Sequence, residues 1–282
     1  MVIVSKIIIC DGDSWTAGHM INPELEHRDD IFINHVENES YRLPKVWPHK
    51  LGKYLDDVII ENNAHAGSSN DGIVRRVMRR VTSLLKDNKS EDLFVIIGFT
   101  SPERKDFFYK SSNRKAWDTL YPAQYEQDFD FDESGELKLF YKTYGKVFWN
   151  AEEYLERYTQ QIILLHNFFK NNNVKHLFFD AFYETVDDEM GLIFNSINID
   201  DVLIELGYDT KSHYHYSEYI LNIRKEVFMT KSFRNTILDE MKNNKILRLD
   251  ENKYYNDSHP SETSQEMWAN KLLPIVRRKF SD

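Results

Sequence analysis

The chain has 282 residues, with 46 acidic against 36 basic side chains and a formal net charge of −10. That length suits one large domain or a domain with sizeable insertions, and the acidic balance argues against a nucleic-acid partner held through its phosphates. Apolar residues make up 41% of the chain, enough for a substantial core, yet no apolar run approaches the roughly 20 residues of a membrane helix.

Val2–Cys10 is an apolar run with Lys6 inside it. It has no basic leader and no small-residue cleavage site, so it reads as a first strand and not as a classical signal peptide. Cys10 is the single cysteine, which excludes an intrachain disulfide and makes a reducing, cytoplasmic compartment the expectation. Its thiol is expected to pack in the core. Val46–Leu55 carries Trp47, Leu51 and Leu55 at helical spacing, and Val58–Glu61 is a short second strand. "AHAGSSND" then breaks the chain, with Ser69 or Asn70 placed to cap a helix. Ile73, Val77, Val81, Leu84 and Leu85 line one face of that helix. Arg75, Arg76, Arg79 and Arg80 lie off the stripe and are expected on a solvated face.

"DLFVIIG", residues 92–98, is a continuous apolar run of the kind that forms a central parallel strand. Leu155, Tyr158, Ile162, Leu165 and Phe169 mark a long helix, and "HLFFDAF", 176–182, a fourth strand. Lys245–Leu249 is a weaker fifth. The last helix starts near Thr263, which forms a capping box with Glu266, and Trp268, Leu272 and Val276 give it an apolar face.

Strands alternating with helices predict a three-layer α/β/α domain over residues 1–282, flavodoxin-like, with a mostly parallel sheet of about five strands. The strand C-terminal ends then share one edge, where ligands of such sheets bind. Ser14, Gly67 and the stretch Gly98–Thr100 each follow a strand end. Residues 101–150 and 183–232 are insertions too long for plain loops, and are expected as caps with their own packing, either walling that edge or standing as self-contained caps or dimer contacts. The first is rich in Phe, Tyr and Trp; the second is rich in Tyr and His.

A serine hydroxyl is a weak nucleophile until a base removes its proton, and the usual base is a histidine oriented by a carboxylate. "IIICDGDSWTAG", residues 7–18, runs a strand into a polar turn with Ser14 in it. "YYNDSHPSE", 254–262, places His259 in a turn, with Asp257 two residues before it, Asn256 three before, and Pro260 to keep a helix from absorbing it. Asp13 beside the serine is expected to pin the loop by accepting backbone N–H bonds. His213 and His215 in "SHYHYSE" have a metal-ligand spacing. No third ligand is evident in sequence, although Glu218 or His176 can arrive in space, and cap histidines are the preferred reading.

"GDSWTAG" resembles the first block of the SGNH, or GDSL-type, hydrolases; "NNAHAGSS" and "DSHPSE" resemble their second and last blocks, in the same order along the chain. The resemblance implies a serine esterase with Ser14 as nucleophile and His259 as base. Asp257 would orient the base, and the N–H groups of Ser14 and Gly67 would face the oxyanion. Trp15 stands where the GDSL form has Leu, and is expected to pack under the turn. Two positions depart from the family. Thr100 occupies the place of the third-block Asn that donates to the oxyanion, leaving Thr100 or Asn70 to serve. Asn256 occupies the place of the acid, with Asp257 one residue nearer the His.

No cofactor or metal is expected, and the partner expected is a small-molecule or glycan ester with no membrane contact; oligomeric state is not read from sequence. The aromatic insertions suit sugar rings, which favours a carbohydrate O-acetyl esterase. The rivals are a non-catalytic glycan- or protein-binding module on the same fold, supported by the altered third block, and an O-acyltransferase using the same acyl-serine.

Overall fold

The computed structural model describes residues 6–21, 39–110, 115–120, 135–182, 186–187, 191–193, 213–214, 218–243, 255–256 and 259–281. Its first half runs β1 (Lys6–Asp11), α1 (Ser14–Ala17), α2 (Trp47–Lys53), β2 (Val58–Asn62), α3 (Asn70–Leu84) and β3 (Leu93–Phe99). A hairpin of β4 (Lys105–Lys110) and β5 (Lys115–Leu120) precedes α4 (Glu136–Val147), α5 (Ala151–Asn171) and β6 (Lys175–Asp180). Short strands β7 (Val186–Asp187), β8 (Gly191–Ile193) and β9 (His213–Tyr214) pair with one another. Then come α6 (Glu218–Val227), α7 (Phe233–Asn243), the paired β10 (Tyr255–Asn256) and β11 (His259–Pro260), and α8 (Glu262–Ser281).

The main sheet has the order β2-β1-β3-β6 and every pairing in it is parallel. Alternation along the strands sorts side chains to two faces. Ile7, Ile9, Val95, Ile97 and Phe178 pack on one side with α3, α5 and α6. Ile8, Cys10, Phe94, Ile96 and Phe179 pack on the other with α2, α7 and α8. Both faces are covered, so β3 is buried at every residue, as its unbroken apolar run requires. This is the three-layer, doubly wound arrangement. The strand order reverses between β1 and β3, and in such sheets the ligand crevice lies outside the carboxyl ends of the strands at that switch. β1 ends there at Asp11, and β3 at Phe99.

Among the described residues the sheet has four strands; the expected fifth, Lys245–Leu249, lies outside them. The first insertion contains the β4–β5 hairpin and α4, and the second contains β7 to β9 and α6. The last helix begins at Glu262. Ser261 caps it, its Oγ facing the Ser264 N–H at 3.4 Å. Glu266 is not in a capping box: it takes hydrogen bonds from Lys50 and Tyr54 on the α2 side.

The arginine face of α3 is not solvated as its pattern suggests. Arg76 forks onto Asp11, Arg80 forks onto Glu61, and Arg75 pairs with Asp106 while stacking on Trp117 at 3.9 Å. Only Arg79 of the four is exposed. Off-stripe positions near a helix edge face the neighbouring strand ends, and those ends carry the carboxylates.

At the opposite edge of the sheet two buried histidines meet. His176 Nδ1 donates to the Val174 carbonyl at 3.1 Å, so its Nε2 is the acceptor for His166 Nδ1, 3.0 Å away. Burial pushes His176 down to about 4 and lowers His166 as well. A histidine whose folded pKa lies below its unfolded one favours the native state above the unfolded value and loses that contribution as pH falls toward the folded one. Wild type is therefore expected to lose about 3 kcal/mol relative to His176→Phe between pH 7 and pH 4, read from urea denaturation. A pH-independent difference would contradict it.

Candidate active site

β1 delivers Asp11 and Gly12 to the sheet edge, and the chain turns at once into α1. Gly12 is required by space: a Cβ there would lie 2.4 Å from Thr16 Oγ1 and 3.1 Å from the Gly98 carbonyl. Asp13 caps the helix, its Oδ1 accepting the Trp15 N–H at 3.0 Å, so the carboxylate does pin the turn. Ser14 is the first helical residue, where the backbone N–H has no intrahelical partner. Trp15 packs underneath, edge-on to Phe182 and Phe233 at 4.9 and 5.5 Å.

A helix of four residues cannot satisfy its own last carbonyls. The Ser14 carbonyl accepts from the Gly18 and His19 N–H groups, both at 2.9 Å. The next three carbonyls are taken by side chains from three separate places. Gln265 Nε2 donates to Trp15 O at 2.9 Å, Asn62 Nδ2 donates to Thr16 O at 3.1 Å, and Arg42 donates to Ala17 O. The serine-bearing turn is thus held from outside by α8, β2 and the segment before α2.

The second segment is tied to the first by continuing the β1–β2 pairing past the strands. Asn63 N–H reaches Cys10 O at 2.8 Å and His65 N–H reaches Gly12 O at 3.3 Å. A turn follows, closed by Ser68 N–H on His65 O at 3.3 Å. Gly67 holds its third position with φ +73°, the left-handed conformation that a type II turn demands there. Nothing lies within 4 Å of where a Cβ would stand on Gly67, so a ligand can approach its backbone. Ser69 caps α3, its Oγ accepting the Gly72 N–H at 3.2 Å.

Asn70 and Thr100 form a reciprocal pair. Asn70 Nδ2 donates to Thr100 O at 3.0 Å, and Asn70 Oδ1 accepts the Thr100 N–H at 2.9 Å. The Thr100 hydroxyl donates to Asp13 Oδ2 at 2.8 Å. Its one proton is therefore committed to the cap of α1. Asn70 keeps its second amide hydrogen.

His259 lies in β11, opposite Asn256 in register, and is half-buried. β11 contacts α1. The His259 ring packs edge-on against His19, centroids 5.0 Å apart, and His19 is the residue whose N–H bonds the Ser14 carbonyl. Residues from the two ends of the chain thus reach the same corner. Asp257 lies outside the described residues, as does His215, and of Asn256 and His213 only strand pairing is described. Among the described residues no group of three His, Cys, Asp or Glu side chains could hold a metal ion.

Beneath the turn the charge is unusual. Asp11 is fully buried, and burial pushes its carboxyl up to about 7 against the pull of Arg76. Arg76 Nη2 stands 2.6 Å from Asp11 Oδ1 and also donates to Gly12 O at 3.2 Å. Arg104 lies 3.7 Å from Asp13. The sequence pattern alone does not mark Asp11, Asn62, Arg76 and Gln265 as parts of this site. For Gln265 a signal was present: with Trp268, Ala269, Leu272 and Val276 it completes the buried stripe of α8, a polar residue at an apolar position. Asn70 heads the stripe of α3 in the same way, with Ile73, Val74, Val77 and Val81.

The chain belongs to a family of unknown function, DUF6071, whose model matches residues 30–205. That span includes Gly67, Asn70 and Thr100. No curated protein matches the sequence. Among solved structures, the chain is similar to a member of the lipolytic protein G-D-S-L family from Veillonella parvula, at 12% identity and a TM-score of 0.45 over 96% of this chain and 98% of that one. It is also similar to the psychrotrophic esterase EstA from a Pseudoalteromonas species, at 12% identity and a TM-score of 0.42 over 98% and 100% of the two chains.

Proposed function

We propose that the protein is a serine esterase of the SGNH type, acting on acyl esters and by preference on acetyl esters of carbohydrates. The observation that carries the reading is the placement of Ser14 on an externally braced one-turn helix at the switch point, with His259 against the adjoining His19. In the reaction Ser14 Oγ attacks the ester carbonyl while His259 takes its proton. The carbonyl–alkoxy bond then breaks and the alcohol leaves with that proton. Water attacks the acyl-serine with His259 again as base, and the acid is released as Ser14 regains its proton. Asp257 orients His259. The oxyanion donors are the N–H groups of Ser14 and Gly67, with the second amide hydrogen of Asn70 taking the place of the family's third-block Asn, because Thr100 already donates to Asp13. No metal or cofactor enters this scheme.

The carbohydrate preference is supported by the β4–β5 hairpin. Phe108 and Trp117 are more than half exposed on it and meet edge-on at 5.5 Å. Ser69, beside the Gly67 turn, bonds Asp106 of that hairpin, whose N–H in turn bonds Asp71 at 3.0 Å. A cavity of about 550 Å³ adjoins it, lined by Asp71, Arg75, Trp117, Gln160 and Gln161 among others. Aromatic faces flanked by planar polar groups suit sugar rings.

The test is labelling by a fluorophosphonate probe together with p-nitrophenyl acetate hydrolysis. Ser14 is expected to carry the label, and Ser14→Ala is expected to fall to background. Acetate release from O-acetylated glycans should exceed hydrolysis of longer acyl esters; the reverse order would overturn the carbohydrate preference. An unlabelled Ser14 would favour a binding module, the reading that the committed Thr100 hydroxyl supports.

A further inference from the structure

We infer that Gln265 is a positioning residue that sets the distance between the Ser14 turn and the His259 turn. This rests on the reading of those two residues as nucleophile and base. Of the three side chains that hold the carbonyls of α1, only Gln265 belongs to the helix that His259 introduces. It lies six residues after His259, in the second turn of α8, and it is fully buried.

Both ends of its amide are used. Nε2 donates to Trp15 O, and Oε1 accepts the N–H of Trp47, the first residue of α2, each at 2.9 Å. An amide that is fully buried and hydrogen-bonded at both ends is held in one orientation. The residue after the nucleophile is therefore fixed to the helix that follows the base. Asn62 braces the same short helix from β2, a strand far from His259 in the chain. Misplacing a reacting group by about 1 Å can cost on the order of 100-fold in rate.

The test is Gln265→Glu. The assay is run at pH 9, where the ionised carboxylate still accepts from Trp47 N–H but has no donor for Trp15 O and sets oxygen against oxygen there, and repeated at pH 6, where a protonated carboxyl can donate to Trp15 O and should retain more of the wild-type rate. The expected result is a loss of about 10- to 100-fold in kcat, with KM within about twofold of wild type. The rate of fluorophosphonate labelling should fall by the same factor. In a His259→Ala background Gln265→Glu should have no further effect on the residual rate, because the alignment it protects no longer matters.

A purely structural residue would lower the melting temperature and leave kcat of the folded enzyme unchanged. That outcome overturns the inference, as does an undiminished effect in the His259→Ala background. Gln265→Met, of nearly the same length, repeats the measurement if the carboxylate variant does not fold; failure of both to fold marks the role as structural. Absence of Ser14 labelling in wild type fails the esterase reading itself and takes this inference with it. A labelled wild type with an unaffected Gln265→Glu fails the inference alone.

Discussion

His259→Ala is expected to slow ester hydrolysis about as far as Ser14→Ala does, on the order of 10³- to 10⁶-fold, and the double variant is expected to be no slower than either single one. On the proposed mechanism the two side chains perform one step. Without the base, the Ser14 hydroxyl keeps its proton and its weak nucleophilicity. Without the hydroxyl, the base has nothing to activate. What survives is binding and oxyanion stabilisation from backbone N–H groups at Ser14 and Gly67, which neither substitution removes. The measurement is kcat on p-nitrophenyl acetate for the wild type, both single variants and the pair. Losses that multiply would mean that Ser14 and His259 act in separate steps. Their separation in sequence makes the outcome informative: only the fold brings α1 and β11 into contact.

The second large effect is on stability. At pH 8, Arg76→Leu is expected to cost about 3–5 kcal/mol, because it leaves the fully buried Asp11 carboxylate without its counter-charge. The loss should depend on pH with a definite sign. Asp11 titrates at about 7 in the folded protein against an ordinary value of 3.8. Between those values the native state holds a proton that the unfolded chain releases, so this group's contribution declines as pH rises. Removing Arg76 removes an attraction that holds the carboxyl down, and extends the decline above pH 7. The variant should therefore be closer to wild type at pH 5 than at pH 8 in urea denaturation. Asp11→Asn combined with Arg76→Leu should recover part of the stability, since no charge then remains buried. An equal loss at both pH values would place the cost in the packing of Arg76 instead.

Much of the architecture is legible in the sequence because it depends on local pattern. The runs at residues 7–10, 93–97 and 176–179, short and bounded by turn residues, read as strands covered on both faces, and the stripes of α3, α5 and α8 follow the helical period. Ser14, Gly67 and His259 stand out because each interrupts such a pattern with turn chemistry. What escaped pattern reasoning is contact between distant segments. The arginines of α3 look solvated until β1 and β2 are known to end beside them with Asp11 and Glu61. The commitment of the Thr100 hydroxyl to Asp13 requires β1 and β3 to be neighbours, and sequence order does not state that. Thr263 reads as the cap of the last helix because Glu266 stands three residues on, yet Ser261 caps it, and Glu266 turns away to Lys50 and Tyr54, a contact that the local pattern does not contain.

The external bracing of α1 also bears on how the molecule comes into being. Trp15 and Gln265 are 250 residues apart, so the contact closes a loop nearly as long as the chain. Contacts of such sequence separation form late, after the loop-closure entropy has been offset by other packing. During synthesis from the N-terminus, Ser14 emerges early, just after a strand that has neither its sheet partners nor the helix that anchors the turn. If Ser14 is the nucleophile proposed above, it should become reactive only when α8 docks, and a ribosome-bound chain lacking that helix should leave acyl esters untouched.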